Sequence, residues 1–432
     1  MLRHVVSEIK LKSGAQGLLI DVPDASVMSV RINFRAGDVY GPSEKKWETA
    51  HIMEHLSLGA NNGFASSREF QAVLDQNGAY SNATTAQSEM TYEGECADFE
   101  WQRFLELFIG AIAAPKFLEH EFTAEKGNVH EELVGRGNNH ASRLGLEMAK
   151  RYGFKFKTWQ DRVELMKHVT LQDVKDHYAR THHAENMRFV IAGRLRGRKK
   201  TIRSLLEGMP LASNAKTGRL PLLTETATKL PEIVYIANDT VPNAYFYIDT
   251  YINRELPLSD LYALGVLGTM LTDTLHSKIL GEAREKGLIY YLSSDSYRTP
   301  GCSSWWFGSQ ISEEQLPAFL AIFIRELQSV MQGSISAADL EAAKRYQLGG
   351  YQRGAQTVNA LTNGYSGLYF YNGTISDYYT DFEKHLSKID ATMLSNIACA
   401  MFGENIWGLG YLGTISEKAR QASLDQLDVL WR

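Results

Sequence analysis

Two histidines four residues apart, with a glutamate between them, carry the clearest chemistry in this chain: His51-Ile52-Met53-Glu54-His55. The residues around them, 47–58, have helical spacing. Ala50, Met53 and Leu56 share one side, and Gly59 stands where a C-terminal cap belongs. Side chains four apart on a helix share a face about one turn apart, so both imidazoles can reach one ion. Glu54 stays near that face, placed to take a proton from a water beside the ion. The order H-x-x-E-H inverts the zinc-peptidase pattern H-E-x-x-H. With 12 histidines in 432 residues, chance produces this pattern roughly 0.02 times per chain. A pair of idle helix-face histidines is the weaker reading.

A catalytic zinc takes three protein ligands and keeps one position open. The third ligand must come from elsewhere in the chain. Glu125 and Glu132 lie seven residues apart in the stretch 124–133, so they share a helical face. Glu132 can bind the ion, and Glu125 can steady the ligands or the water from behind. Without the histidine motif, these glutamates would be ordinary solvated helix charges.

The elements that must hold these residues follow from periodicity. Residues 27–34 alternate, with Met28, Val30, Ile32 and Phe34 on one face and Ser29, Arg31 and Asn33 on the other. That pattern predicts a half-buried strand, broken afterwards by Gly37, Gly41 and Pro42. Further strands are expected at 8–12, 17–21, 80–85, 89–96 and 187–192, and helices at 67–76, 99–114, 120–151, 158–167 and 171–180. Residues 194–203 read as a basic, exposed stretch. Little periodicity remains in 208–231, where Pro210, Ser213, Asn214, Gly218, Pro221 and Pro231 mark a linker. The order then starts again, with strands at 233–237, 245–250, 291–296, 303–309 and near 407–412, and helices at 258–280, 316–332 and 337–349. Both halves run strands, helix, strands, helices, strand. The expectation is an α+β chain of two related domains, 1–210 and 232–432, joined by 211–231. Each is a mainly antiparallel sheet packed against helices, and 1–210 carries the metal motif.

Composition narrows the function classes. Hydrophobic residues make up 44% and charged residues 22%, the balance of a globular protein long enough for two cores. The net charge of -5 lacks the basic excess of a nucleic-acid partner. Cys96, Cys302 and Cys399 are an odd, scattered set with no metal spacing and no disulfide framework, which points to a reducing cytoplasm. The first residues hold charges and no signal-peptide core. The most apolar run, 107–115, falls short of the roughly 20 residues a membrane helix needs. No membrane partner is expected.

The motif residues resemble the pitrilysin and mitochondrial processing peptidase family, zinc metallopeptidases that include insulin-degrading enzyme. In that family a glutamate ligand follows the inverted motif at a set distance, with another glutamate seven residues before it. Here His55 to Glu132 is 77 residues and Glu125 to Glu132 is seven, which selects Glu132 over Glu131 and His130. Asn33-Phe34-Arg35-Ala36-Gly37 is similar to the family's lead-in to the motif. Asn82-Ala83-Thr84 resembles its substrate-binding edge strand, which pairs with the peptide backbone. Glu185-Asn186-Met187 and Ala192-Gly193 look like the close of its first half. Arg284-Glu285-Lys286-Gly287-Leu288-Ile289-Tyr290 resembles an arginine–tyrosine element that holds the substrate carbonyl. The family's spacing gives Tyr291, while anchoring on Gly-Leu-x-Tyr gives Tyr290, the preferred residue here.

The resemblance implies the mitochondrial processing peptidase-like metallohydrolase fold and a zinc metalloendopeptidase acting on unstructured peptides or a peptide precursor. Thr269-Met270-Leu271-Thr272-Asp273 carries no second H-x-x-E-H, so one Zn2+ per chain is expected. Short members of the family pair two chains into a clamshell. That implies a homodimer in which Arg284 and Tyr290 reach the partner's zinc, with a heterodimer of related chains as the alternative. The rival reading is a non-catalytic structural or partner subunit, but such subunits typically lose the zinc motif. A hydrolase of non-peptide substrates is a third reading, and the Asn82-Ala83 edge argues against it. Among the remaining residues, His182-His183 read as a helix-end pair and His140 as structural. Gly349-Gly350 reads as a cap, and the aromatic-rich stretch 365–379 reads as core.

Overall fold

The computed structural model describes residues 2–213 and 218–431. Residues 214–217 of the expected linker, Asn214 included, lie outside them. Six strands, β1 (Val5–Lys10), β2 (Gln16–Asp21), β3 (Val27–Phe34), β4 (Tyr80–Thr85), β5 (Met90–Ala97) and β6 (Met187–Gly193), form a sheet in the order β1-β2-β6-β3-β5-β4. Neighbours are antiparallel except β2 and β6. Five more, β7 (Val234–Ala237), β8 (Ala244–Ile252), β9 (Ser293–Thr299), β10 (Cys302–Ile311) and β11 (Ile406–Gly413), form a second sheet in the order β7-β11-β8-β10-β9. Here only β7 and β11 are parallel. With β1 set aside, the two sheets share one order and one pattern of directions. The duplication expected from element order is therefore present in the topology. No helix among the described residues is long and apolar enough to cross a membrane.

The compact units are not the contiguous halves 1–210 and 232–432. One unit comprises Met1–Val134, Gln160–Leu223 and Gln352–Thr380, and the other Gly135–Trp159, Thr224–Tyr351 and Asp381–Arg432. Two helices account for the interleaving. Helix Val358–Asn372, late in the chain, packs on β3 and β6, whereas helix His140–Arg151, early in the chain, packs on β8 and β11. Each sheet thus takes a covering helix from the other half of the sequence.

This arrangement changes the reading of β3. Met28, Val30, Ile32 and Phe34 are buried on one face as expected, each worth about 1.5–3 kcal/mol. The opposite face was expected to meet water, yet Ser29 and Asn33 are each only 2% exposed. Helix Val358–Asn372 covers them and supplies a hydrogen-bond partner to each. The Ser29 and Thr362 hydroxyls pair at 2.9 Å, and Ser366 Oγ donates to Asn33 Oδ1 at 3.2 Å. Asn33 Nδ2 donates in turn to Thr91 Oγ1 at 2.6 Å. From the same helix Tyr365, Tyr369 and Phe370 are buried, as the aromatic-rich stretch predicted, whereas Tyr371 is exposed.

Two long helical regions are broken. The region 120–151 divides into Glu119–Arg136 and His140–Arg151, and the Asn139 side chain caps the second helix by accepting from the Ser142 amide. The region 258–280 divides into Leu258–Leu271 and Lys278–Glu285. The basic stretch expected to be exposed leads into a helix, Lys199–Glu207, that buries Ile202 and Leu206.

Candidate metal centre

Helix Thr49–Ser57 carries His51 and His55. It packs on β4 and on helix Leu171–Thr181, burying Ala50, Ile52, Met53 and Leu56. Its approach is set by the loop after β3. A Cβ on Gly37 would lie 2.0 Å from the Ala86 carbonyl oxygen, so only glycine lets this loop press against the β4–β5 turn. The Asp38 and Val39 amides bond there to Ala86 and Gln87 carbonyls. Asn186 Nδ2 ties the same loop down by donating to the carbonyls of Arg35 (3.1 Å) and Thr181 (2.7 Å). Helix Glu119–Arg136 buries Phe122, Val129 and Leu133 and presents Glu125 and Glu132.

These elements bring His51, His55 and Glu132 together, with one ligand atom of each within 4.8 Å of the others. Glu132 Oε2 lies 3.4 Å from His51 Nε2 and 3.3 Å from His55 Nε2. A carboxylate backs each ring on its other nitrogen. His51 Nδ1 is 3.1 Å from Glu48 Oε2, and His55 Nδ1 is 3.0 Å from Glu125 Oε2. An Nδ1–H donated to a carboxylate leaves Nε2 with a lone pair, and both Nε2 atoms face Glu132. Two imidazole nitrogens, one carboxylate oxygen and supported tautomers suit zinc with one position left open. Among the described residues no other histidine, cysteine or carboxylate group is assembled in this way.

The surroundings favour positive charge at this point. Burial alone would keep His51 neutral, but hydrogen bonds to Glu132 and Glu48 outweigh it and raise the imidazole to about 9. Burial likewise works to raise the Glu48 carboxyl, yet bonds from His51 and Arg162 hold it below its ordinary value. Glu54 is half-buried and feels the charges of His51, His55 and Glu132; burial raises its carboxyl, while His51 and Thr85 pull it back. Asp38 is pushed up to about 7 by burial. Divalent metal and proton compete for such a site.

β4 is an edge strand, paired within its sheet to β5 alone. Asn82 on it is exposed and Ala83 is buried. Its outer edge presents the backbone groups that an added strand would use. Arg284 and Tyr290 lie in the other compact unit and meet each other there. The guanidinium donates to the Tyr290 carbonyl and sits 4.4 Å from the ring centroid. Tyr290 is 77% exposed, whereas Tyr291 lines an apolar cavity of about 400 Å³ with Tyr247 and Trp306. His182 is structural, bonded to the Tyr92 hydroxyl at 2.8 Å and stacked on Phe34.

Sequence reasoning named both histidines and both glutamates, which the structure brings together, but did not name Glu48 and Arg162. Glu48 had a usable signal, an acid three residues before His51 on the same helical approach. Arg162 had none, because its role depends on a contact 114 residues away in sequence.

Two family descriptions match the chain. Insulinase (Peptidase family M16) matches residues 18–161, and Peptidase M16 inactive domain matches residues 168–346. The two matches together define a peptidase-like protein. The chain belongs to peptidase family M16. His51, Glu54, His55, Glu125 and Glu132 fall in the first match, and Arg284 and Tyr290 in the second. Solved structures share the fold. A protease from Helicobacter pylori aligns with a TM-score of 0.80 at 19% identity, over 95% of this chain and all (100%) of that one. A peptidase M16 inactive domain from Pseudomonas fluorescens aligns with a TM-score of 0.79 at 18% identity, over 95% of this chain and 98% of that one. A chain of complex III2 from Candida albicans aligns with a TM-score of 0.78 at 14% identity, over 97% of this chain and 100% of that one. No curated protein sequence matches significantly.

Proposed function

We propose that this chain is a zinc metalloendopeptidase that cuts unstructured peptides or a peptide precursor. The observation that carries the reading is the convergence of His51, His55 and Glu132 with a carboxylate behind each imidazole. Zinc held there would polarise the scissile carbonyl and make a water nucleophilic near neutral pH. Glu54 takes the proton from the attacking water and delivers it to the leaving amine, a task suited to a half-buried carboxylate of raised basicity. Glu125 and Glu48 hold the imidazoles. The outer edge of β4, at Asn82 and Ala83, aligns the substrate backbone by strand addition. Arg284 and Tyr290 stabilise the oxyanion that develops on the carbonyl.

The second half bears the description of an inactive domain, and that match begins beyond His51, Glu54, His55 and Glu132. A metal-free second half is what a single site per chain requires. A homodimer, each copy lending Arg284 and Tyr290 to its partner's site, completes the proposal, and a heterodimer with a related chain is the alternative. A cytoplasmic setting, with Cys96, Cys302 and Cys399 as free thiols, goes with it.

The likeness to a chain of complex III2 favours a second reading, a structural subunit without catalysis. Such a role has no use for the assembled metal group. Peptide cleavage separates the two. The zinc-loaded protein should cut unstructured peptides, lose that ability to a chelator and regain it with zinc. A zinc-loaded protein that cuts none supports the structural subunit. Sedimentation velocity tests the dimer, since a fully active monomer would rule it out.

A further inference from the structure

The two carboxylates behind the imidazoles are held in different ways. Glu125 is half-buried and receives one further bond, from Asn128 Nδ2 at 3.1 Å. Glu48 has no exposed surface and is gripped by the Arg162 fork, with Nε donating to Oε1 at 2.6 Å and an NH2 group donating to Oε2 at 2.8 Å. Oε2 is also the atom that His51 Nδ1 approaches at 3.1 Å. A bidentate guanidinium fixes the carboxylate plane as well as its charge, which a lysine cannot do. Glu48 is the N-cap residue immediately before the motif helix, and Arg162 sits on helix Trp159–Met166. The plane of Glu48, and with it the direction of the His51 ring, is therefore set by a segment outside the motif. Asp38 Oδ2 lies 3.9 Å from a terminal nitrogen (Nη1) of the Arg162 guanidinium.

We propose that Arg162 is a positioning residue for the metal, acting through Glu48 to hold His51 with Nδ1 protonated and Nε2 turned toward Glu132. Glu48 and Arg162 then work as one unit, and neither touches substrate. The inference rests on the metal reading of the site, so its test uses readouts that need no peptide turnover.

Zinc affinity is measured by chelator competition for wild type, Arg162→Gln, Glu48→Gln and the double variant. The His51 Nδ1–H resonance is followed by NMR in the zinc-loaded proteins. Arg162→Gln should weaken zinc binding by about 10–100-fold, the usual cost of losing an outer partner of a ligand. Its His51 Nδ1–H signal should shift and exchange faster with water, while the His55 signal stays in place. The double variant should bind zinc no worse than Glu48→Gln, because the two residues act in series. Arg162→Lys keeps the charge but loses the fork, and should recover only part of the affinity. It also carries the test should Arg162→Gln fail to fold. Wild-type zinc affinity and an unmoved His51 signal in Arg162→Gln or Arg162→Lys would overturn the inference, as would additive losses in the double variant. Wild-type protein that binds no zinc would instead sink the metal reading itself.

Discussion

Asp249 sits in β8, 2% exposed, where it accepts a hydrogen bond from the Tyr152 hydroxyl. Burial pushes its carboxyl from an ordinary 3.8 up to about 8, against the pull of hydrogen bonds from Tyr152 and Tyr251. The folded chain therefore keeps this proton across a range where the unfolded chain has lost it. In that range the unfolded state binds fewer protons, so stability falls as pH rises, by about 1.4 kcal/mol per pH unit. The stability is fully present below pH 3.8 and is lost progressively up to about pH 8. From pH 4 to pH 7 the loss from this one group is about 4 kcal/mol. Asp249→Asn removes the charge, keeps the shape and can still accept from Tyr152. It should be more stable than wild type by up to about 4 kcal/mol at pH 7, and equal within about 1 kcal/mol at pH 4. Urea melts of both proteins at pH 4, 5.5 and 7 measure this. A difference that does not grow with pH, or an Asn variant less stable at pH 7, would refute the reasoning.

Three other outcomes can be checked. Glu125→Gln should weaken zinc binding about 10–100-fold in chelator competition, since His55 loses the charged partner on Nδ1. Asn33→Ala removes the partner of two buried hydroxyls, Thr91 and Ser366, and should cost about 2–4 kcal/mol in urea unfolding. Arg284→Ala should lower kcat/KM by about 10²–10³ and leave zinc content unchanged, as expected for a group that acts only on the oxyanion.

The parts of the fold that depend on local pattern were legible. Val27–Phe34 forms the predicted strand residue for residue, because strict alternation of large apolar side chains fits only a pleated strand there. His51, Glu54 and His55 share one helix for the same local reason. Glu132 needed the family resemblance, since nothing in its own neighbourhood separates it from Glu131. What the pattern could not show were contacts between segments distant in sequence. Ser29 and Asn33 have the polarity of a solvent-facing row, and only the return of Thr362 and Ser366 explains their burial. The interleaving of the two compact units has the same origin. The apolar face of His140–Arg151 says that the helix packs, but not on which sheet. The break before it rests on one cap, Asn139, inside an otherwise helical run. Glu48 and Arg162 escaped because a fork across 114 residues leaves no periodic trace.

Cleavage of a mixed panel of unstructured peptides, read by mass spectrometry, tests the central claim most directly when zinc-loaded wild type is compared with zinc-loaded Glu54→Gln. Wild type should cut, and Glu54→Gln should hold zinc with near-normal affinity yet cut nothing, because only the proton carrier has gone. Cleavage by Glu54→Gln at the wild-type rate would contradict the role of Glu54. Silence from both proteins with zinc bound would contradict the peptidase.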